Sequence, residues 1–167
     1  PPATLLAIED GQVREWRYWR LPERTTQGVS EREWSERVRV QLEESVRMQM
    51  VSDVPIGAFL SGGVDSSAVV GLMARHSQQP IRTYAIGFAG GEAETLYNEL
   101  PYARRVAELF SPQHREILLR PDVVALLPKL LWHMDEPLSD TAFITTFLVS
   151  EFARQDVKVI LSGVGGD

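Results

Sequence analysis

The residues best placed to do chemistry are Ser61-Gly62-Gly63-Val64-Asp65-Ser66-Ser67, which follow an apolar run, Ile56 to Leu60, and precede an apolar segment from Ala68 to Ala74. That order reads as strand, glycine loop and helix. Two glycines permit a tight turn with bare N–H groups, and a helix start adds unpaired amides and the positive end of its dipole, so the stretch suits an anion. The Walker spacing G-x-x-x-x-G-K-[ST] is absent, and the two lysines, Lys129 and Lys158, lie far away in the chain. Phosphate charge then needs another counter-ion. Asp65 inside the loop points to a metal ion, because a bare carboxylate would repel a polyphosphate. A glycine turn with two serines capping a helix is the plain structural alternative. A second Ser-Gly loop, Ser162-Gly163-Val164-Gly165-Gly166-Asp167, follows the apolar run Val157 to Leu161 and also carries an aspartate. Taken alone it reads as a turn, since glycine and aspartate dominate turns. Asp135, Glu136 and Asp140 form a third acidic stretch that could hold metal or substrate, or could be a solvated turn with Asp140 as a helix cap.

These groups need elements to position them. The strand candidates are 56–60, 81–88, 114–119 and 157–161, separated by helical segments. Alternating strands and helices predict an α/β fold, a doubly wound and mainly parallel sheet with helices on both faces. Ligands of such sheets bind beyond the carboxyl ends of the strands where strand order reverses. With the four strands in the order 3-2-1-4, Ser61–Ser67 and Ser162–Asp167 face each other across that point. Ahead of the sheet, 4–8 and 13–19 flank Asp10-Gly11 and predict a short β-hairpin, with a linker over 21–29. Ser30 and Glu33 form a capping box for a helix whose stripe of Trp34, Val38, Leu42, Val46 and Met50 should pack on the core. Glu92 to Glu99 reads as a mobile surface loop. A helix from Pro101 to Phe110 should bury Tyr102, Val106, Leu109 and Phe110, and Pro128 should interrupt the helix that begins near Asp122. A last helix runs from about Ala142 to Arg154.

The loop Ser61–Ser67, the preceding Met50-Val51-Ser52-Asp53-Val54-Pro55-Ile56-Gly57, Asp135-Glu136-Pro137 and Leu161–Asp167 together resemble the pyrophosphate-loop ATP pyrophosphatases. Within that superfamily they look like the synthetase domain of class B glutamine-dependent asparagine synthetases. The resemblance implies an adenine nucleotide α-hydrolase-like fold that binds ATP and Mg²⁺. It implies that Asp65 and Asp167 hold the metal, that Ser61, Gly62, Gly63 and Ser66 hold pyrophosphate, and that Phe59, Ile86, Ser162 and Gly163 contact the nucleotide. The reaction it implies is adenylation of the aspartate side chain, with release of pyrophosphate, and displacement of AMP by ammonia from glutamine. Residues 1–29 would be the hairpin and linker from a glutaminase domain absent from this chain, and 30–167 the first part of a synthetase domain truncated at its C-terminus. A homodimer is compatible with the resemblance. One departure is Val164, where the family has Glu in S-G-E-G, which leaves the acceptor and the amide-forming step open. A related adenylating ligase such as a β-lactam synthetase, and a non-catalytic adenine-nucleotide-binding module, are the competing expectations.

The 167 residues, 44% apolar and 24% charged, suffice for one self-supporting core. A net charge of −6 without a basic block argues against a nucleic-acid surface. No cysteine occurs, so the chain offers neither a disulfide nor the cysteine nucleophile that releases ammonia from glutamine. No run approaches a membrane span and no signal peptide pattern heads the chain, which suggests a soluble, cytoplasmic protein. His76, His114 and His133 lack ligand spacing and are given no role.

Overall fold

The computed structural model describes residues 1–22, 28–89, 98–120, 122–134, 136, 140 and 142–165. The chain forms two units, 1–39 and 40–167. In the first, strands β1 (Thr4–Glu9) and β2 (Gln12–Arg17) pair antiparallel with Glu9 opposite Gln12. The turn between them has φ of 50° at Asp10 and 77° at Gly11, the left-handed pair that matches the twist of a two-residue hairpin. Helix α1 (Glu31–Gln49) starts as its capping sequence requires, with the Glu33 N–H donating to Ser30 Oγ at 3.2 Å. The Glu33 carboxylate pairs with Arg37 instead of reaching back, so the box is half made. Only the second half of the expected stripe is covered. Val46 is buried and Leu42 and Met50 pack on the core of the second unit, whereas Trp34 and Val38 are exposed.

The second unit is a parallel sheet of β3 (Ile56–Phe59), β4 (Arg82–Phe88), β5 (Gln113–Leu119) and β6 (Val159–Leu161) in the order β5-β4-β3-β6. This is the expected 3-2-1-4 order. Helices α2 (Val64–His76), α3 (Leu100–Phe110), α4 (Val123–Met134) and α5 (Ala142–Ala153) make the crossovers. Alternate strand residues feed two separate cores, as the pleat demands. Ala58, Leu60, Ala85 and Leu161 meet Val69, Val70 and Met73 of α2 and Leu100 and Ala103 of α3 on one face. Phe59, Tyr84, Ile86 and Ile160 meet Val149, Phe152 and Ala153 of α5 on the other. Among the described residues no helix is long and apolar enough to cross a membrane.

Two helical expectations need correction. In α3 the buried residues are Leu100 and Ala103, with Val106 and Ala107 partly covered, while Tyr102, Leu109 and Phe110 are exposed. The first turn of α3 lies with its backbone, at Tyr102 and Ala103, against Gly62, and it is Leu100 and Ala103 that face the core there. Nor does Pro128 interrupt α4, which runs through it. The amide hydrogen bond lost at Pro128 would have ended on the carbonyl of Val124, a residue 78% exposed, where water can replace it.

The one buried threonine of the sheet, Thr83, is satisfied by His114 Nδ1 at 2.8 Å. His114 Nε2 in turn meets Glu116 at 3.1 Å, and Arg104 grips Glu116 with three contacts of 2.7–3.0 Å. Burial pushes the Glu116 carboxyl up, but the hydrogen bonds and charges of Arg104 and His114 outweigh it and hold it below the usual range. His76 sits 2.9 Å from Glu43. Two of the three histidines therefore tie secondary elements together.

Candidate nucleotide site

The last backbone bond between β3 and β4 runs from Leu60 N to Tyr84 O at 2.9 Å, after which the chain turns through Ser61-Gly62-Gly63 into α2. Gly62 has φ of 85°, and a Cβ there would lie 2.4 Å from the Tyr102 carbonyl carbon and 2.6 Å from Ala103 N. Both conditions exclude any residue but glycine. Gly63 is the N-cap of α2 and offers no side chain, so nothing caps the first amides of the helix, which lack intrahelical acceptors. Ser61 and Ser66 fasten the loop. Gly63 N donates to Ser61 Oγ at 3.2 Å, Ser61 N donates to Ser66 Oγ at 3.3 Å, and Ser66 Oγ donates to Gly63 O at 3.2 Å. The two hydroxyl oxygens are 2.9 Å apart, and with the Ser66 proton on Gly63 O it is Ser61 that donates between them.

Strand β6 lies beside β3 in parallel, Leu161 opposite Ala58, so its outgoing loop leaves from the same end of the sheet. A Cβ on Gly163 would fall 2.6 Å from Ser66 N and 2.8 Å from the Asp65 carbonyl carbon. The two Ser-Gly loops are therefore in backbone contact at the start of α2. Ser162 Oγ accepts from Val164 N at 3.1 Å and shapes the second loop. Between the loops opens a cavity of about 460 Å³.

Of the sequence-predicted residues, Phe59, Ser61, Gly63, Asp65, Ser66, Ile86, Ser162 and Gly163 line this cavity. Gly62 does not; it faces α3. Asp167 and Asp135 lie outside the described residues. Glu136 and Asp140 are not on the cavity wall, and Asp140 caps α5 through Ala142 N at 2.9 Å, the structural role allowed for it. The sequence reading missed Tyr84, Glu99, Thr145, Thr146 and Val149. Glu99 precedes α3, whose first turn Asn98 caps through Leu100 N at 3.2 Å. Thr145, Thr146 and Val149 come from α5, and their only local signal is a pair of hydroxyls in its first, otherwise apolar half.

Among the described lining residues the charged side chains are Asp65 and Glu99, and none is basic. An anion in this cavity needs a cation, and a wall of carboxylate, hydroxyl and carbonyl oxygens fits a hard divalent ion. No group of three or more His, Cys, Asp or Glu among the described residues could enclose a metal. Mg²⁺ commonly takes one or two carboxylates and completes its shell with phosphate and water, and Asp65 is a carboxylate on this wall.

The asparagine synthase family profile matches residues 37–167. A putative asparagine synthetase [glutamine-hydrolyzing] 2 of Methanocaldococcus jannaschii is 38% identical over 162 residues, covering 96% of this chain and 30% of that protein. Asparagine synthetase [glutamine-hydrolyzing] 1 of Bacillus subtilis is 36% identical over 131 residues, 78% of this chain and 20% of that one. The chain thus spans less than a third of either relative. Among solved structures, NH3-dependent NAD synthetase from Campylobacter jejuni superposes with a TM-score of 0.47 at 13% identity, over 75% of this chain and 54% of that one.

Proposed function

This chain belongs to the asparagine synthase family, and from that premise we propose that it forms the ATP-binding part of an amide-forming ligase that adenylates a carboxylate, aspartate in the leading case. The single observation that carries the reading is the contact of the two Ser-Gly loops at the head of α2, around a cavity whose charged described walls are carboxylates. The uncapped amides of the first turn of α2 hold the terminal phosphates of ATP. Asp65, with Asp167, holds Mg²⁺, which when bound neutralises the phosphate charge. Phe59 and Ile86 flank the adenine, and Ser162 and Gly163 complete the floor.

A carboxylate oxygen of the acceptor attacks the α-phosphorus, a new P–O bond forms, and the bond to the β-phosphate oxygen breaks to release pyrophosphate. Ammonia then attacks the activated carbonyl carbon, AMP leaves, and the nitrogen sheds a proton to give the amide. The ammonia comes from a glutaminase partner domain, since the chain has no cysteine to act on glutamine. Val164 on the cavity wall puts no carboxylate where the family has Glu, and this favours a second reading in which the acceptor is a different carboxylic acid, as in a related adenylating ligase such as a β-lactam synthetase.

Pyrophosphate release with a panel of carboxylic acids tests both. Aspartate-dependent release that needs Mg²⁺ and falls by about 100-fold in Asp65→Asn is expected. Release dependent on another acid would select the second reading. Release that ignores the acid, or that survives unchanged in the variant, would overturn the site.

A further inference from the structure

Helix α5 is held to the sheet by Val149, Phe152 and Ala153, which pack with Tyr84, the Phe152 ring meeting Tyr84 edge-on at 5.8 Å. One turn before Val149 the same stripe reaches Thr145. Because the crossover helix runs back against the strands, its first turns lie over their carboxyl ends, and there both residues line the cavity. The stripe turns polar where it leaves the packed core and passes over open space. Thr145 is half-buried, and its hydroxyl makes no hydrogen bond among the described residues.

The two cores fix which part of a nucleotide lies beneath it. The phosphate-binding start of α2 belongs to the face where Val69, Val70 and Met73 pack, whereas α5 covers the opposite face. A nucleotide anchored at the glycine loop crosses the strand ends and brings its base to the side of Phe59, Ile86 and Val149. Those three offer apolar contact to the ring faces and no side-chain hydrogen bond. We propose that the Thr145 hydroxyl supplies it, as the positioning contact to the edge of the purine. A hydroxyl both donates and accepts, so it meets a ring nitrogen or an exocyclic amine. This inference rests on the nucleotide reading above.

Calorimetric titration of AMP and of Mg·ATP into wild type, Thr145→Val, Thr145→Ser and Asp65→Asn separates the two. Loss of one neutral hydrogen bond weakens binding by roughly threefold to tenfold. Because the contact is at the base, Thr145→Val should weaken AMP and Mg·ATP by the same factor, and Thr145→Ser should restore both. Asp65→Asn should weaken Mg·ATP far more than AMP. Unchanged affinities in Thr145→Val, or a loss confined to Mg·ATP, would overturn the assignment while wild-type binding keeps the site. Wild-type protein that binds neither ligand would overturn both proposals.

Discussion

Gly163→Ala places one methyl group where the two loops touch. Its Cβ would stand 2.6 Å from Ser66 N, about 0.8 Å short of the 3.4 Å at which ordinary contact begins. The neighbouring Asp65 carbonyl carbon, at 2.8 Å, is equally fixed. Both are main-chain atoms in the first turn of α2, so no side-chain rotation relieves the overlap. Gly163 is not among the glycines with positive φ, and the penalty is steric alone. Forcing such a contact costs about 1–3 kcal/mol of stability. The larger effect falls on function, because loops that converge on one ligand are moved apart, and misplacement near 1 Å costs about 100-fold in a positioned reaction. Urea unfolding reads the first quantity and pyrophosphate release the second. A variant that matches wild type in both within twofold would show that the loops are not in contact and would remove the basis of the shared site.

Two further expectations concern pH. Burial first, then the charge and hydrogen bond of Asp156, push the Tyr84 hydroxyl from 10.0 up to about 12. The folded state thus keeps a proton that the unfolded state loses, and stability contributed by Tyr84 falls as pH rises from 10 towards about 12, by about 2–3 kcal/mol. The stability difference between wild type and Tyr84→Phe should shrink over that window in alkaline urea unfolding, and parallel profiles would refute the burial argument. Glu116 has the opposite sign: held below its ordinary 4.5, it contributes stability above that pH that is lost as pH falls through the folded value. Glu116→Gln should therefore be less stable than wild type at neutral pH and converge with it in acid, and a constant gap would count against the Arg104 pairing.

The strands, the two loops and the hairpin were legible from local signals, namely apolar runs of strand length, two Ser-Gly turns and Asp10-Gly11, whereas the 3-2-1-4 order that makes the loops face each other came from the family resemblance. Side-chain size misled the reading of α3. Tyr102, Leu109 and Phe110 look like a core stripe, but the inward face of α3 is set by packing on α2 and the strands, distant in sequence, and that face carries Leu100 and Ala103. Helix α4 runs through Pro128 because the carbonyl left without its partner lies on an exposed face, which the sequence pattern does not reveal. Thr145 was invisible for a different reason. A threonine in an apolar helix carries no motif, and it becomes a site residue only when α5 is laid over the ends of β3 and β4.

Strand β6 gives the sheet three residues, pairs with β3 on one side, and is an edge strand among the described residues. Ser162 and Gly163 of the cavity wall hang from it. Leu161 is buried in one core and Ile160 packs against the other, so the packing that docks the strand also sets the position of its outgoing loop. A ligand that bridges both loops binds the docked form alone and latches the strand by mass action. The apparent affinity of such a ligand is the intrinsic affinity scaled by the docked fraction. A substitution at the base of β6 that touches no ligand atom then weakens binding with every contact intact.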